Sequence, residues 1–199
     1  ADELGITVFG TSAKYISSLE SAGIKPKQIS SFPKLRTILS TGSPLVEENF
    51  DFVYGEWKED VQLASISGGT DIISCFVLGN PILPVHRGEL QCRGLGMKVE
   101  AFNEFGKSEM DSKGELVCSQ AFPSMPIYFW NDSNGEKYHS AYFDTYPGIW
   151  HHGDYLKIND FGGVNIYGRS DTTLNPGGIR IGTAEIYQTV ERFNEVEDS

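Results

Sequence analysis

The chain has 199 residues, 39% of them hydrophobic and 12% aromatic, which suits one or two domains with a real core. Its formal net charge is −11 and its lysines and arginines form no cluster, which excludes a nucleic-acid binder that works by neutralising phosphates. No apolar run is long enough to span a membrane, and Cys75, Cys92 and Cys118 lack C-x-x-C spacing, so reduced cysteines in a cytoplasmic protein are expected.

Residues 1–82 alternate strand and helix signals. A β-rich run at 6–9 precedes Thr11 and Ser12, which can cap a helix reaching about Ala22, with Gly23 as its stop. Residues 35–39 read as a buried strand, 44–57 as a helix, and 61–66 as the next strand. This β-α-β-α-β order predicts a parallel sheet, with ligands at the carboxyl ends of its strands. Thr41-Gly42-Ser43-Pro44 and Ser67-Gly68-Gly69-Thr70-Asp71 both fall at such ends.

From residue 83 to 170 the pattern changes to short runs separated by turn signals. Strands are expected at 89–93, 97–102, 115–119, 127–130, 155–158 and 163–167, forming an antiparallel, barrel-like module. Asn131-Asp132-Ser133-Asn134-Gly135 does not match a calcium loop and reads as a hairpin turn. After Asp171 comes a loop with Pro176, Gly177 and Gly178, then a helix from Ala184 that starts a further domain over 171–199.

The chemistry-bearing segments each have a plain alternative. Two glycines at 68 and 69 let backbone approach a ring or phosphate, Thr70 offers a hydroxyl, and Asp71 a carboxylate suited to Mg²⁺. An ordinary strand-to-helix turn explains the same residues. In His151-His152-Gly153-Asp154 the acid can accept two hydrogen bonds from a cis-diol. Adjacent histidines on a strand point to opposite faces, which argues against one shared metal. Arg169 suits either a ligand or a surface ion pair.

Taken together, Gly168-Arg169-Ser170-Asp171, His152-Gly153-Asp154 and residues 67–71 resemble, in order and spacing, motifs of the adenylate-forming superfamily, the acyl-CoA synthetases and their relatives. The resemblance implies an enzyme that uses ATP, Mg²⁺ and CoA. It assigns Gly42, Ser43 and Pro44 to the adenine, and Ser67, Gly68, Gly69 and Thr70 to the nucleotide, with Thr70 at the α-phosphate. It gives Asp154 and Arg169 to the ribose, and Arg180 to phosphate or CoA, with Thr70 and Arg180 as the catalytic pair. Asp71 would hold the metal and Asp171 would be the interdomain hinge. Gly177 and Gly178 would line the path of the CoA arm.

Asp71 stands where the family usually has Glu, Ser43 replaces an acid, and His152 replaces Thr. Thr41 and Gly68 fall in the acyl pocket, where Gly68 in place of a Trp leaves room for an acid larger than acetate. Pro123-Ser124-Met125-Pro126 and Ala141-Tyr142-Phe143 are similar to the group that takes acetoacetate. The family's phosphate loop and its catalytic Lys match nothing here. The resemblance therefore implies about the middle third of a longer enzyme, inactive alone, and the missing initiator Met agrees. Other readings are a ligase for another short or medium-chain acid, and a non-catalytic β-rich binding module.

Overall fold

A computed structural model of the chain describes residues 1–172, together with Ile186, Thr189, Val190, Phe193 and Val196. Gly177, Gly178 and Arg180 lie outside the described residues. So does most of the helix expected from Ala184, of which Ile186, Thr189 and Val190 are helical.

The first strands, β1 (Val8–Ser12), β2 (Thr37–Thr41) and β3 (Gln62–Ser65), pair in parallel in the order β1-β2-β3, as the alternation predicted. Helix α1 (Ala13–Ser21) starts where the Ser12 side chain accepts from the Tyr15 backbone N–H at 3.1 Å, and Gly23 follows its end with φ +66°. A short helix, α2 (Pro26–Ile29), carries Pro at its first position. The single helix expected over 44–57 is in fact two pieces. Helix α3 (Glu47–Phe52) begins after Pro44, and Val53–Trp57 continues it as a π-turn closed by Lys58 N–H to Val53 carbonyl at 2.9 Å. The wider turn sets Trp57 among the rings of Phe9 and Phe32, in a core with Ile16, Ile38, Val53 and Leu63.

At Ile66 the chain leaves the parallel sheet. Strands β4 (Ser67–Gly69), β5 (Ser74–Leu78) and β6 (Cys92–Arg93) form an antiparallel sheet, so pairing crosses the boundary expected near residue 82. Strand β5 was not predicted. A four-stranded antiparallel sheet follows in the order β10-β9-β8-β7, made of β7 (Val99–Phe102), β8 (Gly114–Cys118), β9 (Trp150–Ile158) and β10 (Val164–Arg169).

These two sheets do not close into the expected barrel. They are stitched at one bridge, Leu90 to Val164, with hydrogen bonds of 2.8 and 2.9 Å, and the space between them is filled by side chains. Phe76, Val99, Leu116, Trp150 and Leu156 dominate that core. The run at 127–130 is not a strand: Ile127, Tyr128 and Trp130 are exposed. Residues 131–135 are no hairpin turn either. They open helix α4 (Glu136–Tyr142), because the Asp132 carboxylate accepts from the backbone N–H groups of Lys137 and Tyr138 at 3.1 and 2.9 Å. Among the described residues, no helix is long and apolar enough to cross a membrane.

Candidate functional site

A cavity of about 310 Å³ opens at the carboxyl ends of β2 and β3. One wall comes from Thr41, Gly42, Ser43 and Pro44 after β2 and from Ser67 and Gly68 in β4. A second part of the lining comes from β9 and β10: His152, Asp154 and Arg169. Thus eight of the expected site residues, drawn from four separate segments, meet at one space. Gly69, Thr70, Asp71 and Asp171 are not part of that lining.

Backbone conformation explains one glycine of the first wall and close packing the other. Gly42 has φ +91°, a conformation that L side chains rarely adopt. Gly68 sits at a bulge, where the register shifts after Ser67–Val77 to Gly68–Cys75. A Cβ on Gly68 would lie 2.1 Å from the Ser74 carbonyl oxygen and 2.7 Å from Cys75 Cα. Its missing side chain therefore faces the β5 backbone, and Gly68 offers the cavity main chain. A Cβ on Gly69 would lie 2.9 Å from His152 Cε1.

The second wall is electrostatic. Arg169 and Asp154 are paired residues across β9 and β10, with Nη1 3.6 Å from Asp154 Oδ1. The guanidinium grips Asp171 with two bonds, 3.0 Å from Nε and 2.7 Å from Nη2, and Nη1 donates to the His152 carbonyl at 3.1 Å. Gly153 allows this approach: its φ is +80° and a Cβ there would lie 2.7 Å from Arg169 Nη2. Burial pushes the Asp154 pKa up to about 6, with the nearby Arg169 charge opposing part of the rise. Asp171, hydrogen-bonded to Arg169, is held below the usual carboxylate range.

The two histidines take separate partners, as strand alternation predicted. His151 Nε2 is 3.0 Å from Glu115 Oε2. His152 turns inward, its ring edge-on to Phe76 at 4.7 Å and its pKa lowered by burial to about 4. The Trp150 indole can only donate, so at 3.5 Å it donates to His152 Nδ1. His152 Nε2 then carries the proton and donates to the Gly68 carbonyl at 3.2 Å.

Thr70 and Asp71 are exposed on the turn beyond β4, and the Asp71 carboxylate accepts from the Tyr142 hydroxyl. One exposed carboxylate fits Mg²⁺ as that ion is commonly held, by one or two carboxylates plus substrate phosphates. Among the described residues no cluster of three or more His, Cys, Asp or Glu forms a protein-only cage. The sequence reading missed Tyr142 and the inward role of His152. Tyr138 and Tyr142, four apart, were the available sign of a helix there.

The parallel sheet that hands over to antiparallel strands matches, in solved structures, the fold of adenylate-forming synthetases. The anthranilate CoA ligase AuaEII, solved in complex with anthranoyl-AMP, shares that fold with a TM-score of 0.76 at 18% identity, over 94% of this chain and 34% of its own. By sequence the chain belongs with the acetoacetyl-CoA synthetases. It is 58% identical to that of Rhizobium meliloti over 192 residues and 55% identical to that of Danio rerio over 199, which are 96% and 100% of this chain. The acetoacetyl-CoA synthetase structure from Streptomyces lividans matches with a TM-score of 0.89 at 44% identity, over 98% of this chain and 30% of that one. The chain spans about 30% of the length of these curated relatives. No protein-family model matches it.

Proposed function

We propose that the chain forms the nucleotide-facing part of a cytoplasmic ATP-dependent ligase that joins acetoacetate to CoA. The acetoacetate carboxylate attacks the α-phosphorus of ATP, and pyrophosphate leaves. The CoA thiol then attacks the acyl carbonyl of the adenylate, and AMP leaves as the thioester forms. The observation that carries this reading is the single cavity shared by residues 41–44, Ser67, Gly68, Asp154 and Arg169.

The roles follow from what each group can offer. Gly42, Ser43 and Pro44 give the flat base a close backbone edge. Ionised Asp154 accepts from both ribose hydroxyls, with Arg169 holding that wall in place. Ser67, Gly68 and Gly69 let the phosphate side approach main chain, and Thr70 donates its hydroxyl to an α-phosphate oxygen. Asp71 is the residue that would hold Mg²⁺, which when bound with ATP neutralises phosphate charge. Arg180 supplies a further cation, Gly177 and Gly178 border the CoA arm, and Asp171 is the pivot between half-reactions. The acyl end lies by Thr41 and the Gly68 main chain.

The test is a substrate panel on the full-length protein, following pyrophosphate release and thioester formation. Acetoacetate is expected to give the highest kcat/KM among acetoacetate, acetate and a medium-chain acid. Equal or better turnover of either other acid, or no acid-dependent pyrophosphate release, would contradict the assignment.

A further inference from the structure

The geometry assigns Tyr142 and His152 as positioning residues, which hold the two ends of the segment 68–71 from one shared support, the Trp150 ring; this rests on the functional reading above. Two adjacent glycines leave that segment little stiffness of its own. Its turn residues, Thr70 and Asp71, are exposed. Yet Thr70 and Asp71 must meet a phosphate and its cation at a fixed distance.

Each end has an anchor. At the first, the His152 Nε2–H donates to the Gly68 carbonyl at 3.2 Å, and the ring lies so close over Gly69 that a Cβ there would meet it at 2.9 Å. At the second, the Tyr142 hydroxyl donates to the Asp71 carboxylate. Both anchors lean on Trp150. The Tyr142 ring stacks on the indole at 3.5 Å and 16°, and the indole N–H faces His152 Nδ1 at 3.5 Å. Trp150 is 1% exposed and packed by Phe76, Phe122 and Phe143, so it is a fixed point.

The His152 donor is fixed by its surroundings: burial keeps the ring neutral, and the Trp150 N–H at Nδ1 leaves the one proton on Nε2. Asp71, one carbon shorter than Glu, then gains a defined direction from Tyr142 in place of reach. Thr70 lies between two held residues and is placed by both.

The test measures equilibrium binding of ATP to the full-length protein, with Mg²⁺ and with a chelator, alongside thermal unfolding. Tyr142→Phe keeps the stacked ring and should leave unfolding unchanged. It should weaken MgATP binding roughly tenfold, the scale of a hydrogen bond to a charged group, and shift metal-free ATP binding less than about twofold. In an Asp71→Ala background, which lacks the acceptor, Tyr142→Phe should have almost no further effect. For the other anchor, His152→Gln can still donate to the Gly68 carbonyl, whereas His152→Leu cannot. His152→Leu should lose several-fold more affinity for ATP in both conditions than His152→Gln. Additive Tyr142 and Asp71 effects, or equal affinities for folded His152→Gln and His152→Leu proteins, would overturn the positioning role. Wild type that binds no ATP in either condition would overturn the functional reading, and this inference with it.

Discussion

Within the cavity lining, residues 41–44 with Ser67 and Gly68 bring two glycines, whereas His152, Asp154 and Arg169 bring ionisable side chains. The glycine-bearing wall is shaped by its neighbours. Gly68 is bare because the Ser74 carbonyl and Cys75 Cα occupy the place of any Cβ. The side-chain wall is held by charge instead: a buried acid with a raised pKa, and an arginine shared between Asp154 and Asp171. The two walls should therefore fail differently. Changes to the first damage folding. Changes to the second damage binding and can even relieve the folded state, as functional sites often do.

The largest expected effect is on the glycine-bearing wall. Gly68→Ala forces a methyl against main chain that cannot swing aside, and should cost about 3 kcal/mol or more of unfolding free energy. Chemical denaturation of the full-length protein measures it. A loss below about 0.5 kcal/mol would mean that the β4–β5 bulge relaxes freely.

A smaller effect of opposite sign is expected on the other wall. Because Asp154 has a folded pKa of about 6, above the carboxylate range, its ionised form is disfavoured by folding. That cost is absent below about pH 4, grows as pH rises, and is complete above the folded pKa. Asp154→Asn should therefore raise ligand-free stability at pH 7.5 by about 1–3 kcal/mol, with little gain at pH 4. Denaturation curves at the two pH values decide it, and an equal or reversed gain at pH 7.5 would show that Asp154 is not strained by burial. The smallest effect is a control. Gly10, in β1, has nothing within 4 Å of its Cβ position, so Gly10→Ala should shift stability by no more than about 0.5 kcal/mol.

The contrast between the walls also separates what was legible in the sequence. Strand ends marked by Gly and Pro after β-rich runs pointed to residues 41–44, 67 and 68, whereas Arg169 stood out only through the family resemblance of Gly168-Arg169-Ser170-Asp171. Local pattern carries such information. It does not carry which groups meet. Nothing near Gly68 in the chain says that β5 will fill its Cβ position, so its bareness read as pocket space. Nor does Asp71 announce Tyr142, 71 positions away. Helix α4 was hidden because its aromatic residues suit strands, and only the Asp132 bonds to Lys137 and Tyr138 settle it as helix. The barrel failed for a similar reason: alternation predicts strands, while closure depends on edges, and here pairing stops at the Leu90–Val164 bridge.

The central claim, that the charged wall reads a nucleotide's ribose, is tested most directly by comparing ATP with 2′,3′-dideoxy-ATP on full-length wild type and Asp154→Ala. Two hydrogen bonds to one carboxylate should give wild type at least a roughly tenfold preference for ATP, and the variant should lose nearly all of it. A folded Asp154→Ala protein that still discriminates as strongly as wild type would contradict the ribose role and the account of the cavity built on it.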